Sequence, residues 1–138
     1  MKSPHAPLQA VAWICLQNQR ILCTRTVGKA AFYLPGGKLE PGETEIDALI
    51  REIREELSVT LNPHTIEPFG LFSGPAHGYE PPRKLEMACY WAAFEGQITP
   101  AAEIAEIAWF TAQDSRRCAP VAQSVLEALL AQNLIAVF

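Results

Sequence analysis

The stretch from Gly37 to Val59, GKLEPGETEIDALIREIREELSV, constrains this chain more than any other part of it. Ile46, Leu49, Ile50, Ile53 and Leu57 recur at three- and four-residue steps, the pattern of a helix with one buried stripe. Thr44 with Asp47 three residues later reads as a capping box, and Pro41-Gly42 ahead of it as a turn. The spacing predicts a helix from Thr44 to Leu57.

The acids of that helix are badly placed for its stability. Glu52, Glu55 and Glu56 stand at i, i+3 and i+4, where like charges cost roughly 0.2–0.5 kcal/mol per pair. They also occupy the last turns, where the macrodipole favours cations. Arg51 and Arg54 relieve part of this, since Arg51 reaches Glu55 at i+4. A hard divalent cation would relieve the rest, because such ions take oxygen ligands. A Glu-rich helix face is most often simply solvated. Here, however, Leu34-Pro35-Gly36-Gly37-Lys38 precedes the helix, with backbone that a ligand can approach closely and an ammonium group beside it.

Gly37, five residues, Glu43, seven residues, then Arg51-Glu52-Ile53-Arg54-Glu55-Glu56-Leu57-Ser58-Val59 resembles the Nudix box of the Nudix (MutT-like) hydrolases. That motif is G-x5-E-x7-R-E-U-x-E-E-x-G-U, with U aliphatic. Every fixed position matches except the last glycine, which is Ser58 here. A glycine there would adopt a left-handed conformation just past the helix. Serine in that conformation costs roughly 1–2 kcal/mol, a matter of stability more than of chemistry.

The resemblance implies an α/β fold, an α/β/α sandwich with a mixed β-sheet between helices. It also implies an enzyme that cleaves a diphosphate linked to another moiety, typically a nucleoside. By resemblance, Glu52, Glu55 and Glu56 form the shell of a divalent ion, Mg²⁺ or alternatively Mn²⁺, and the Gly37 carbonyl completes it. Glu52 is the leading general base, and Glu43 and Arg51 hold loop to helix. Relatives add a glutamate ahead of a Trp-Phe-like strand. Glu103 and Glu106, before Trp109-Phe110, both fit that place, and Glu103 is preferred. Arg25 is a candidate phosphate ligand, Lys38 another, and Lys29 a weaker one.

The remaining sequence supplies a frame for that site. At 138 residues the chain fits one domain, 1–138. It can bury about two-thirds of its unfolded surface without a disulfide or a structural metal. Its net charge of −4 argues against a grip on long nucleic acid through phosphates, while a small phosphorylated substrate with metal screening stays compatible with it. No apolar run is long enough to span a membrane. MKSPHAPLQ lacks the apolar core of a signal peptide, so a cytoplasmic protein is expected. Cys15, Cys23, Cys89 and Cys118 lie far apart in sequence, and the first three sit in apolar runs as buried free thiols.

After a polar lead, Met1 to Pro7, a strand is expected over Leu8 to Leu16. A turn at 17–19 returns it as a hairpin with Arg20 to Thr26. Further strands are expected at Ile66 to Ser73, at Leu85 to Glu95 and from Ile107. A helix is expected from Pro120 to Asn133, with proline in its first turn.

The expected reaction is Mg²⁺-dependent hydrolysis of a (deoxy)nucleoside triphosphate to monophosphate and pyrophosphate. ADP-ribose or another nucleotide sugar is the alternative substrate, because Pro75 falls sixteen positions past Val59, a mark seen in ADP-ribose-cleaving relatives. A non-catalytic nucleotide-binding regulatory domain is the alternative of another class. The intact carboxylate set argues against it. Phe32, Tyr33, His77 and Tyr79 are placed to face a base or to pack.

Overall fold

Strand β1 explains why the molecule is layered. Its sequence, LQAVAWI over Leu8–Ile14, is buried from Ala10 onward with no polar alternation, so both of its faces must be covered. The computed structural model, which describes residues 6–79 and 81–138, puts helices on both sides. The polar lead expected at Met1 to Pro7 therefore lies mostly outside the described residues.

In chain order the strands are β1 (Leu8–Ile14), β2 (Leu16–Gln17), β3 (Arg20–Thr26) and β4 (Gly36–Lys38). Helix α1 (Glu45–Leu57) is followed by β5 (Thr60–Leu61), β6 (Glu67–Pro75), β7 (Lys84–Trp91), β8 (Phe94–Glu95) and β9 (Ile104–Phe110). A 3₁₀ segment, Ala112–Arg117, leads to α2 (Pro120–Ala131). The largest sheet runs β4-β1-β7-β6; β1 and β7 are parallel, and the other pairs are antiparallel. A second sheet runs β2-β3-β9, and β5 pairs with β8. The mixed sheet between two helices is the expected α/β/α arrangement.

Period-two alternation divides the core between the helices. Val11, Trp13 and Leu22 pack with Ala48, Leu49, Ile53 and Leu57 of α1. Ala12, Ile14, Ile21, Cys23, Met87 and Cys89 pack with Val121, Val125, Leu126 and Leu129 of α2. Trp13 is fully buried; its indole N–H donates to the Ala92 carbonyl at 3.1 Å, which satisfies the one polar atom it takes inside.

Several boundaries differ from the sequence expectation. The hairpin partner of β3 is the two-residue β2, closed by Asn18 and Gln19 at positive φ, not the long first strand. β1 is apolar on both faces and takes a central place between β4 and β7, crossing away at Cys15. The strand expected over Leu85 to Glu95 breaks after Trp91, and Phe94–Glu95 turns to pair with β5. β9 starts at Ile104, three residues earlier than expected, because pairing with β3 supplies its ladder. α2 stops at Ala131. No helix among the described residues is long and apolar enough to cross a membrane.

Candidate active site

Two glycines of β4 form the floor of the site. Gly36 has φ of 149°, and a Cβ there would stand 2.0 Å from the Val11 carbonyl oxygen of the paired strand. A Cβ on Gly37 would meet the Glu52 carboxylate at 2.6 Å. Side chains are missing here because a strand and a helix carboxylate occupy the space. The Gly36 N–H donates to Glu56 Oε1 at 3.1 Å, so Glu52 and Glu56 of α1 both rest on this strand.

The helix that carries them begins and ends by local rules. The Asp47 N–H donates to Thr44 Oγ1 at 3.1 Å as an N-cap bond. Ser58 ends the helix in the left-handed region, φ 64°, with its N–H on the Arg54 carbonyl. Its hydroxyl donates to the Thr99 carbonyl at 3.2 Å, a contact glycine could not make.

Arg51 ties this helix to the preceding loop. It donates to both Glu43 oxygens, at 2.7 and 2.8 Å, and to the Lys38 carbonyl at 3.3 Å. Its remaining edge meets Glu52 at 2.8 Å and Glu55 at 3.5 Å. The bidentate guanidinium holds the Glu43 carboxyl down at about 2.

Glu52 and Glu56 behave in the opposite way. Burial raises Glu52 despite Arg51 beside it. Burial raises Glu56 to about 8, and the neighbouring charges of Glu52, Glu55 and Glu103 add to it. Glu55 is exposed. Glu103 sits in the turn before β9, where its carbonyl accepts the Val27 N–H at 2.8 Å. The same turn is fastened to the end of α1 by Ala101 N–H on the Glu56 carbonyl, 2.9 Å. Glu106 instead pairs with Arg25 at 2.7 Å across β9 and β3.

Four glutamates from two segments thus share one neighbourhood with too little positive charge to balance them. As the side chains stand, no three acid, imidazole or thiol groups among the described residues converge closely enough to cage an ion. The donor chemistry nevertheless fits a hard divalent cation, because a carboxyl raised by like charges is one that a cation would return to its ionised form.

Beside these acids lies a cavity of 280 Å³. It is lined by Gly36, Gly37, Lys38 and Glu56, by the apolar Leu34, Leu85 and Met87, and by Tyr33, His77 and Tyr79. The Tyr33 hydroxyl and His77 Nδ1 are 2.6 Å apart, and burial raises Tyr33. The Lys38 ammonium hydrogen-bonds the Tyr79 hydroxyl. Phe32 does not reach this cavity; it is core, edge-on to Phe110 at 4.8 Å. Arg25 lines a separate, neighbouring groove. Pro75 is exposed at the end of β6 and lines neither. All four cysteines are free and buried, and the Cys23 and Cys118 thiols hydrogen-bond each other. Sequence spacing gave no sign of that contact, nor of the cavity, whose walls come from residues scattered between Leu8 and Met87.

A family model described as NUDIX domain matches residues 6–129. The human 8-oxo-dGDP phosphatase NUDT18 is 45% identical over 38 residues, which is 28% of this chain and 12% of that protein. An RNA pyrophosphohydrolase from Marinomonas sp. (strain MWYL1) is 41% identical over 63 residues, 44% of this chain and 38% of that protein. The matched stretch spans well under half the length of these curated relatives. The solved MutT NUDIX hydrolase of Burkholderia pseudomallei shares the fold with a TM-score of 0.74, at 22% identity over 88% of this chain and 97% of that one.

Proposed function

The chain belongs to the NUDIX domain family, and from that premise we propose that residues 1–138 act as one cytoplasmic hydrolase domain for the phosphoric anhydride bond of a nucleoside diphosphate-linked substrate. Its substrate is a (deoxy)nucleoside triphosphate, cleaved to monophosphate and pyrophosphate. The observation that carries this reading is the seating of Glu52 and Glu56 on the two-glycine strand, which with Glu56 lines a cavity walled by Leu34, Leu85 and Met87. Four free thiols support a reducing compartment.

Glu52, Glu55, Glu56, Glu103 and the Gly37 carbonyl would hold the divalent ion, Mg²⁺ or Mn²⁺. When bound, such an ion neutralises charge on the phosphoryl oxygens and orients a water. Glu52 accepts the proton of the attacking water. Burial raises it toward the range where a general base works, and Arg51 holds its position. Lys38 and Arg25 contact phosphate oxygens, while the apolar wall takes the nucleoside and excludes water from it.

A panel of nucleoside triphosphates, ADP-ribose and nucleotide sugars, assayed with Mg²⁺ or Mn²⁺ for released phosphate and monophosphate, tests the proposal. Triphosphates should be turned over fastest. ADP-ribose turned over far faster than every triphosphate would replace the substrate, and no turnover of any compound would remove the enzymatic reading.

A further inference from the structure

Lys38 is the last residue of β4 and stands in the most acidic part of the chain, ahead of Glu40, Glu43, Glu52, Glu55 and Glu56. Its side chain is exposed, yet among the described residues it makes no ion pair. The ammonium instead hydrogen-bonds the Tyr79 hydroxyl and lies 4.8 Å from the centre of the Tyr79 ring. Tyrosine is a neutral partner. It orients an ammonium through its oxygen and its ring face, and it does not cancel the charge as a carboxylate would.

Tyr79 reaches Lys38 because the loop between β6 and β7 bends over the cavity. The two strands stay paired as far as Pro75 and Lys84, and the Ala76 N–H donates to the Arg83 carbonyl at 2.7 Å, closing the base of the loop. Past that point the contacts are with cavity residues. His77 Nδ1 stands 2.6 Å from the Tyr33 hydroxyl, and Gly78 turns the chain at φ 83°. A Cβ on Gly78 would lie 3.9 Å from the Lys29 ammonium. The tip, 76–79, is thus seated on Lys29, Tyr33 and Lys38, all of which line the cavity.

A lysine stem rotates freely, and its ammonium gains by pairing with any carboxylate in reach. Holding it elsewhere takes a second partner. We infer that Tyr79 is a positioning residue, which keeps the Lys38 ammonium over the cavity and away from the neighbouring carboxylates, so that its charge stays free for an anionic ligand. This rests on the proposed reading of Lys38 as a phosphate contact and adds to it the side chain through which that contact is set. The ring face that Lys38 covers is closed to a stacking base.

Two measurements test it. The first needs no ligand: in a crystal structure of Tyr79→Leu, which lacks both the oxygen and the ring, the Lys38 ammonium should have moved to within about 4 Å of a carboxylate. An ammonium left in its original place overturns the inference. The second is calorimetry with a nucleoside triphosphate analogue whose α- and β-phosphorus atoms are bridged by methylene, in the presence of Mg²⁺. Tyr79→Phe should weaken binding about fivefold, the worth of one net hydrogen bond. Tyr79→Leu should weaken it about tenfold, since the ring face is lost as well. In a Lys38→Met background the same Tyr79→Leu change should alter affinity by less than about twofold, because a residue that acts through Lys38 has nothing left to position. An equal loss in both backgrounds would show that Tyr79 acts without Lys38, and overturns the inference. If the analogue binds no form of the protein, the nucleotide reading fails, and the crystal structure still decides what holds Lys38.

Discussion

The two helices flank the same strands and differ in the residues they carry beside their buried stripes. α2 buries Val121, Ala122, Val125, Leu126 and Leu129, carries one charged residue, Glu127, and starts at Ala119 with no side-chain cap. α1 buries Ala48, Leu49, Ile53 and Leu57 with equal completeness, but the rest of it holds Glu45, Asp47, Arg51, Glu52, Arg54, Glu55 and Glu56, of which Glu52 and Glu56 turn onto β4. Burial suffices to hold α2 in place, as it does for most helices. α1 has the same anchor and tolerates an acid face that, left to itself, would weaken it. A locally unfavourable surface on a well-anchored helix is the pattern expected of a functional site, and it is the pattern on which the proposed site rests.

The strongest way to break that comparison is to exchange the kind of damage done to each helix. Glu52→Gln should lower turnover by about 10²–10⁴-fold, the usual worth of a general base, with the unfolding transition retained. Leu126→Ala in α2 should do the reverse. It costs about 2–5 kcal/mol in denaturant unfolding and leaves turnover per folded molecule intact. If Leu126→Ala cut turnover per folded molecule as deeply as Glu52→Gln, the division of labour between the helices would be wrong.

Gly37→Ala sharpens the same point at the floor of the site. Its Cβ would press on the Glu52 carboxylate, a movable group, so the chain should fold while turnover falls by roughly tenfold or more. Retained activity would mean that the position of Glu52 on β4 is immaterial.

Proton linkage gives a smaller effect. Glu56 is raised to about 8 when folded, above its ordinary 4.5, so the folded state binds the extra proton between those values. Stability of the metal-free protein should fall as pH rises through that window. Glu56→Gln should flatten the slope in pH-dependent unfolding. A slope unchanged by the substitution would show that Glu56 is ionised freely.

Ser58→Gly is the smallest. Relief of about 1 kcal/mol of left-handed strain is set against loss of the hydroxyl bond to Thr99, worth about 1 kcal/mol, so the melting temperature should barely move. A clear rise would mean that the bond contributes nothing.

α1, its cap and its left-handed end were legible in the sequence because they depend on neighbours within four residues. The preference for Glu103 over Glu106 came from resemblance, and the contacts that separate the two lie across the fold. Glu106 is engaged by Arg25, eighty-one positions away, while the Glu103 turn is fastened to the end of α1. The first hairpin was misread because β1 and β3 look alike as apolar runs. Only pairing decides which partner each takes.

By itself the sequence determined the acidic helix, the glycine turn beneath it and the layered class, since periodicity and short-range spacing are properties of the chain alone. Tertiary structure decided the rest. It raised Glu52 and Glu56 by burying them and set a cavity beside them. It also gathered Arg25, Lys29, Arg116 and Arg117 into one groove from positions nearly a hundred residues apart. Burial and charge proximity depend on which strands pair, and no local pattern records that.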